Sequence, residues 1–221
     1  MNLINIYRRL YKVLGEKIET MQKKSKFLWL LDNGHGGIID GVYQTRGKRS
    51  PIWPDGNQLF EGEFNRAIVN RLIEMCNNAN IDCVNIVPEL EDIRLSERVR
   101  RANEIYKNDK RAVYVSIHAN AGGGTGYELF TSPGNTKSDG IANIFFEKAE
   151  KAFPTFRMRG IKEANFYVLK NTHMPAILTE NFFMDTLTPD CELLLSQTGR
   201  NRIARAHFEA IAEIENSKFF Q

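Results

Sequence analysis

The stretch AVYVSIHAN, residues 112–120, is an apolar run that ends in polar residues, and it decides the fold class. Its β-branched and aromatic residues predict a strand that is buried along most of its length. Two further runs have the same form, KFLWLLDNG at 26–34 and PAILTEN at 175–181. Continuous apolar strands of this kind are typical of a parallel sheet that is covered on both faces.

Segments with helical spacing of apolar residues alternate with these strands. The predicted helices contain Phe64, Leu95, Ile141 and Gln197. Additional strands are expected at 81–88 (IDCVNIVP), 126–132 (GYELFTS) and 166–170 (FYVLK). The alternation predicts an α/β fold, with an open, mostly parallel twisted sheet and helices on both faces, in a single domain.

The composition is that of an ordinary globular protein and excludes several functional classes. The 221 residues are 42% hydrophobic and 26% charged, and the net charge of +3 is too small to indicate nucleic-acid binding. It is compatible with an anionic polymer as substrate. Three widely spaced cysteines without a CxxC pattern argue against a disulfide framework and against a cysteine zinc site, and no apolar run is long enough to span a bilayer.

Residues 1–25 differ from the rest of the chain. Apolar residues recur there at steps of three and four and predict an amphipathic helix: Leu3, Tyr7, Leu10, Leu14, Ile18 and Met21. Arg8, Arg9 and Lys12 interrupt the apolar core that a signal peptide needs. We expect this N-terminal helix to dock on the domain formed by 26–221, with a dimer seam or a membrane-surface helix as alternatives.

Four polar residues are expected to meet at one edge of the sheet. His35 follows the first strand, His118 and Glu180 lie near the ends of two others, and Glu61 opens a helix. In an open α/β sheet the ligand crevice forms outside the carboxyl ends of the strands. Two imidazoles and one carboxylate suit zinc and leave a coordination position for water. His35, Glu61 and His118 are therefore the expected ligands, and Glu180 the carboxylate that transfers protons. Glu63 is a rival for Glu61.

The same residues lie in motifs that resemble the zinc-dependent N-acetylmuramoyl-L-alanine amidases of the family 3 type. The resemblance runs from about residue 27 to 214 and rests on five pieces in order: DNGHGG at 32–37, Glu61 in EGEFN, Leu95-x-x-Arg98-x-x-x-Ala102-Asn103, SIHAN at 116–120, and Arg159-Gly160 followed by PAILTE at 175–180. The offset between Glu61 and Asn65 matches the family and favours Glu61 over Glu63. One departure is Asn181-Phe182, where the family commonly has Gly-Phe after the catalytic glutamate.

The resemblance implies a hydrolase that cleaves the amide bond between N-acetylmuramic acid and the L-alanine of the peptide stem in peptidoglycan. It implies a Zn²⁺ ion on His35, Glu61 and His118, with Glu180 as the catalytic residue. Two alternatives stay open: a zinc exopeptidase of other specificity, and a non-catalytic wall-binding regulator derived from an amidase. Without an export signal, the chain is expected in the cytoplasm on synthesis and at the cell wall after release or lysis.

Two irregular segments are candidates for substrate binding. In the long loop 40–60, Arg46, Lys48 and Arg49 can meet stem carboxylates and Trp53 can stack on a sugar, although a solvated loop with a buried tryptophan is an equal alternative. In the segment 157–165, Arg159 is the candidate for a carboxylate clamp.

Other polar residues receive simpler interpretations. Asn120 and Asn181, beside the predicted site, are further candidates for substrate contact, and a spacer is the alternative role for Asn181. His173 and His207 are expected to be surface or capping residues.

Overall fold

A computed structural model of the chain describes residues 25–217. The predicted N-terminal helix lies outside the described residues except for Ser25, and stays a prediction. None of the described helices is long and apolar enough to cross a membrane. The three cysteines are free thiols, as expected, with Cys76 and Cys191 buried and Cys83 half-buried.

A six-stranded sheet forms the centre of the fold, in the order β4-β1-β5-β8-β6-β7, and β2 and β3 make a separate hairpin. The strands are β1 Leu28–Asn33, β2 Ile38–Ile39, β3 Val42–Tyr43, β4 Asp82–Asn85, β5 Ala112–Asn120, β6 Tyr127–Thr131, β7 Met158–Glu163 and β8 Ala176–Phe183.

Four adjacent strands, β4, β1, β5 and β8, are parallel, which confirms the mostly parallel sheet. Strand β6 is antiparallel to β8 and parallel to β7, so one edge of the sheet is reversed. The reversal follows from chain length, because only residues 121–126 connect β5 to β6 and a parallel crossover needs a dozen residues or more. The prediction of an irregular segment at 157–165 is wrong, because Met158–Glu163 forms the edge strand β7.

Helices cover both faces of the sheet, as predicted. They are α1 Glu61–Asn78, α2 Leu95–Asn108, α3 Lys137–Ala152, α4 Tyr167–Lys170, α5 Glu192–Leu195 and α6 Gln197–Asn216, with a helical turn at Leu187–Cys191 before α5. Residues of α1, α3 and α6 share one core with Trp29 and Val115. Residues of α2 and α4 share the other core with Leu30 and Tyr114.

The strand predicted at 166–170 is wrong, because this segment forms the short helix α4. The amides of Leu169 and Lys170 donate to the carbonyl of Phe166 at 3.0 and 2.9 Å and close a helical turn. Val168 and Leu169 are neighbours in sequence, and both are buried in the same core. A strand would have sent them to opposite faces, so burial of both on one side selects the helix.

Candidate active site

The carboxyl ends of three central strands carry the residues that the sequence singled out. His35 follows β1, and His118 and Glu180 are paired in register on the adjacent strands β5 and β8. Glu61 is the first residue of α1 and is buried. The sheet and one helix start therefore bring all four side chains to the same edge.

Two histidine nitrogens converge on one oxygen of Glu61. His35 Nε2 lies 3.2 Å and His118 Nδ1 lies 3.0 Å from Glu61 Oε1. When one donor atom is taken from each of the three residues, the three atoms all lie within 4.8 Å of one another. Two ligand atoms at tetrahedral positions around zinc are about 3.3 Å apart, given Zn–N and Zn–O bonds of about 2.0–2.1 Å. The spacing of the donors therefore fits a small tetrahedral ion.

The electrostatics of Glu61 keep it ionised. Burial opposes ionisation, but the hydrogen bonds and charges of His118 and His35 outweigh it and hold the pKa of Glu61 well below its usual range. Its second oxygen, Oε2, is buried without a hydrogen-bond partner among the described residues. A buried carboxylate with a spare lone pair beside two imidazoles is a donor set for a cation.

The glycines around His35 explain the local DNGHGG sequence. His35 has φ of 71°, an unusual conformation for a residue with a side chain, and such strain is concentrated at functional sites. A Cβ on Gly34 would overlap the imidazole of His118, and one on Gly62 would overlap the carbonyl oxygen of Gly36. Close backbone approach at both positions brings β1, β5 and α1 together around the cluster.

A chain of buried polar groups lies beneath His118. Its Nε2 is 3.1 Å from the hydroxyl of Ser116, which in turn lies 3.3 Å from Asp32. Asp32 also accepts hydrogen bonds from Arg98 and from the hydroxyl of Tyr114. Metal-binding histidines usually donate their second N–H to such a partner, which fixes the tautomer and the ring. We did not assign roles to Asp32, Tyr114 and Ser116 from the sequence, although an aspartate closing an apolar strand was a signal.

Glu180 has a different environment from Glu61. Its Oε2 atom is buried and has no hydrogen-bond partner among the described residues. Burial is the main cause that raises the pKa of Glu180 to about 7, and the charges of Glu61 and Glu128 act in the same direction against those of His118 and Lys48. A carboxyl group of this kind can accept and release a proton near neutral pH.

A cavity of about 530 Å³ opens beside the cluster. Its floor comes from the sheet and includes Ser116, His118 and Glu180, and its rim includes residues of the loop after β1, of the start of α2 and of α4. The volume is that of an ordinary small-ligand site. A substrate in this cavity can contact His35, His118 and Glu180 together.

Comparison with known proteins identifies the family. The sequence model of the N-acetylmuramoyl-L-alanine amidases matches residues 30–213, which include all four site residues. The chain belongs to the N-acetylmuramoyl-L-alanine amidase family. The predicted function, cleavage of the muramoyl–alanine amide bond of peptidoglycan, is thereby confirmed.

Individual relatives agree with this assignment. The amidase CwlM of Bacillus licheniformis is 33% identical over 187 residues, covering 84% of this chain and 68% of the relative. An endolysin of Bacillus phage SPP1 is 30% identical, covering 88% of this chain and 68% of its own length. The catalytic domain of the amidase CwlV from Bacillus (Paenibacillus) polymyxa superposes with a TM-score of 0.69 at 25% identity, covering 87% of this chain and 99% of that one. An amidase of Clostridium difficile 630 gives a TM-score of 0.71 at 25% identity, covering 88% and 100%.

The loop residues of the amidase that were candidates for substrate binding are not brought together. Lys48 lines the cavity, and its Nζ lies 4.0 Å from Glu61 Oε2. Arg46 and Arg49 are exposed and lie outside the cavity lining. Trp53 donates through Nε1 to the sulfur of Cys191 at 3.2 Å and packs against the core. Sugar stacking by Trp53 stays a prediction that its position does not favour.

The candidates on the other side of Glu180 form a charged cluster. Glu128, which pairs with Glu180 across β6 and β8, accepts hydrogen bonds from Asn120 at 2.6 Å and from Arg159 at 2.6 Å, and also from Lys162. We did not single out Glu128 or Lys162 from the sequence. The cluster places two cations next to the catalytic edge.

The remaining sequence candidates have structural partners. Asn181 is buried and donates to the carbonyl of His118 at 2.9 Å. Glu63 makes a bidentate pair with Arg200 at 2.8 Å and lies outside the donor cluster, so the structure favours Glu61 as the donor. His173 is exposed, as expected. The surface position expected for His207 is wrong: it is buried, because α6 packs it against Thr179.

Proposed function

We propose that this amidase is a zinc enzyme in which His35, Glu61 and His118 hold the metal. The observation that carries the proposal is the convergence of two imidazole nitrogens on one oxygen of a buried carboxylate, at 3.0 and 3.2 Å. Histidine and carboxylate donors with a free position are typical of catalytic zinc. When bound, zinc polarises an amide carbonyl and lowers the pKa of water, which are the two requirements of amide hydrolysis at neutral pH.

Glu180 is the proton-transfer residue in this proposal. Its buried carboxyl group faces the cavity next to the cluster, and its raised pKa suits a group that takes a proton from the attacking water. Glu180 then passes that proton to the nitrogen of the L-alanine that leaves. The products are the lactyl carboxylic acid on the sugar and the free amino group of the peptide.

Other residues bind the substrate or orient the residues of the site. The hydrogen bonds of Ser116 to His118 and Asp32 hold the His118 ring. Asn181 donates to the carbonyl of His118 and holds the backbone at the same strand end. Lys48 lies at the cavity beside Glu61, and Arg159 in the charged cluster carries positive charge that suits the carboxylates of a peptide stem. Asn120 acts through Glu128 and positions it.

Release by lysis is the route to the wall that we infer for this chain. Its support is the similarity to a phage protein named as an endolysin. Fractionation of cells that express the full chain tests it, because this route requires the protein in the cytoplasm until lysis. Recovery of the enzyme from the medium of intact cells would contradict it.

Three variants of single glutamates test the metal and catalytic assignments together. Glu61→Gln should lose zinc and activity, whereas the matched control Glu63→Gln, two residues away, should keep both. Glu180→Gln should keep zinc and folding but lose roughly two to four orders of magnitude in turnover on purified peptidoglycan. Zinc stoichiometry, thermal stability and released amino groups are measured on each preparation. Zinc retained in Glu61→Gln, or full activity in Glu180→Gln, overturns the corresponding role.

A further inference from the structure

Exposed apolar side chains gather at the catalytic cavity. Among the described residues, seven large hydrophobic side chains are exposed: Val42, Ile52, Val84, Leu90, Leu95, Phe166 and Tyr167. Three of them, Leu95, Phe166 and Tyr167, line the cavity that also contains His118 and Glu180. Grouped exposed apolar residues that line a cavity containing a few polar groups mark a binding surface. We call these three residues the aromatic wall.

The aromatic wall is held in place by buried neighbours. Phe166 packs edge to face on Phe130, with ring centroids 5.0 Å apart. Val168 and Leu169, the next residues of α4, are buried in the core under the sheet face. Leu95 begins α2, whose Arg98 is tied to Asp32 of β1. Because these anchors fix the backbone, the exposed faces of the wall are preorganised for a ligand.

The aromatic wall and the neighbouring charged cluster differ in polarity. The aromatic wall lines the cavity on the side of α2 and α4. The charged cluster of Arg159, Lys162 and Glu128 lies on β6 and β7, outside the cavity lining, and carries two cations for one carboxylate. A substrate in the cavity therefore meets the apolar surface of the wall, and the cations of the cluster lie beyond Phe130, whose ring packs on Phe166 and is 5.8 Å from Lys162 Nζ.

The substrate of a muramoyl–alanine amidase has the same division. Its sugar ring is uncharged and presents faces of C–H groups, whereas the peptide beyond L-alanine carries carboxylates. Flat apolar surface is complementary to a pyranose face, and a guanidinium or ammonium group is complementary to a carboxylate. The scissile amide joins the two halves, and Glu180 both shares the cavity with the wall and pairs in register with Glu128 of the cluster.

We propose that the aromatic wall is the subsite for the sugar ring of N-acetylmuramic acid. The glycan then lies on the side of α2 and α4, and the peptide stem lies on the side of β6 and β7. This inference rests on the proposed catalytic roles of the donor cluster and Glu180, and it assigns to Tyr167, Phe166 and Leu95 the sugar contact that the sequence had suggested for Trp53.

Two substrates with the same stem separate the sugar contact from the peptide contact. One is N-acetylmuramoyl-tetrapeptide, and the other is D-lactoyl-tetrapeptide, which keeps the scissile amide but has no sugar. For Tyr167→Ala combined with Leu95→Ala, we expect KM for the muramoyl substrate to rise about tenfold while kcat/KM for the lactoyl substrate is unchanged. Tyr167→Phe, which retains the ring face, should raise this KM much less than the double variant does. Ile52→Ala, exposed but outside the cavity, is the matched control.

Each outcome decides the inference. Equal losses on both substrates would place the peptide on the wall and overturn it, as would no loss on either. A peptide-free disaccharide of N-acetylglucosamine and N-acetylmuramic acid should bind the wild type in calorimetry and bind the double variant about tenfold more weakly. Equal binding to both overturns the sugar subsite. Failure of the proposed function is distinct, since the zinc-loaded wild type would then cleave neither substrate.

Discussion

Ser116 shows how one hydroxyl supports the donor cluster. It lies between His118 Nε2 at 3.1 Å and Asp32 at 3.3 Å, so it accepts from the ring and donates to the carboxylate. We expect Ser116→Ala to weaken zinc binding about 10- to 100-fold, the usual effect of removing an outer partner. Zinc titration against a competing chelator measures it, with Ser132→Ala as the control, because Ser132 follows β6 and lies outside both the donor cluster and the cavity lining. Unchanged affinity would show that the ring is oriented without Ser116.

His207 gives the fold a pH-dependent stability. Burial lowers its pKa to about 4, although its hydrogen bond to the Ile203 carbonyl at 2.9 Å acts in the opposite direction. In the unfolded chain the pKa of a histidine is about 6.5, so the unfolded state binds more protons than the native state between pH 4 and 6.5. The free energy of unfolding therefore falls as pH drops through this window, by up to roughly 3 kcal/mol.

Denaturant unfolding at pH 7 and pH 5 tests this contribution. His207→Gln should remove much of the difference between the two pH values, because it removes the titrating group. His173→Gln, on an exposed histidine, should leave the difference as in the wild type. A difference that persists in His207→Gln would assign the pH dependence to other groups.

The start of α1 is positioned by a glycine contact. Gly62 lies against the carbonyl of Gly36, and a Cβ there would overlap that oxygen. Gly62→Ala should gain helix propensity but push α1 away from the His35 loop, for a net destabilisation of about 1–3 kcal/mol and a loss of zinc affinity. Asn70→Ala, exposed on the same helix, is the control for both measurements. A stabilised, zinc-replete Gly62→Ala would contradict the close contact.

Elements with a strong pattern were predictable from the sequence, and those decided by tertiary contacts were not. The runs at 26–34 and 112–120 predicted β1 and β5 correctly, because a continuous apolar segment of that length is stable as a buried strand. The run at 166–170 is short enough to serve as either a strand or a helix, and burial of Val168 beside Leu169 chose the helix. The reversal of β6 depends on the length of one connection, which the strand pattern does not contain.

Some residues of the site were likewise predictable from the sequence, and others were not. The sequence could predict four residues of the site, because strand ends and helix starts converge in an open α/β sheet. They are His35, Glu61, His118 and Glu180. The partners Asp32 and Ser116 depend on the register between β1 and β5, which side-chain patterns do not reveal. The role of the aromatic wall depends on which apolar residues remain exposed after packing.

For the whole molecule, the proposed zinc would act as a cross-link between separate elements. The proposed ligands come from the loop after β1, the start of α1 and the end of β5. A ligand at 100 times its Kd stabilises the native state by about 2.7 kcal/mol. For a domain of this size we expect chelation to lower Tm by about 5–10 °C. Calorimetry with and without chelator measures the shift, and His118→Ala should show none. An unchanged Tm of the wild type in the presence of chelator would contradict the cross-link.

The position of β8 has a consequence for synthesis of the chain. It lies between β5 and β6 in the sheet, yet it is the last of the six strands in the sequence. A ribosome releases the N-terminal part first, so β4, β1 and β5 emerge with no partner strand to join them to β6 and β7. The sheet closes only when residues 176–183 emerge, and those residues carry Glu180. Emergence of β8 thus joins the two parts of the sheet and adds Glu180, the proposed proton-transfer residue, in one event, and α6 then follows to complete the core.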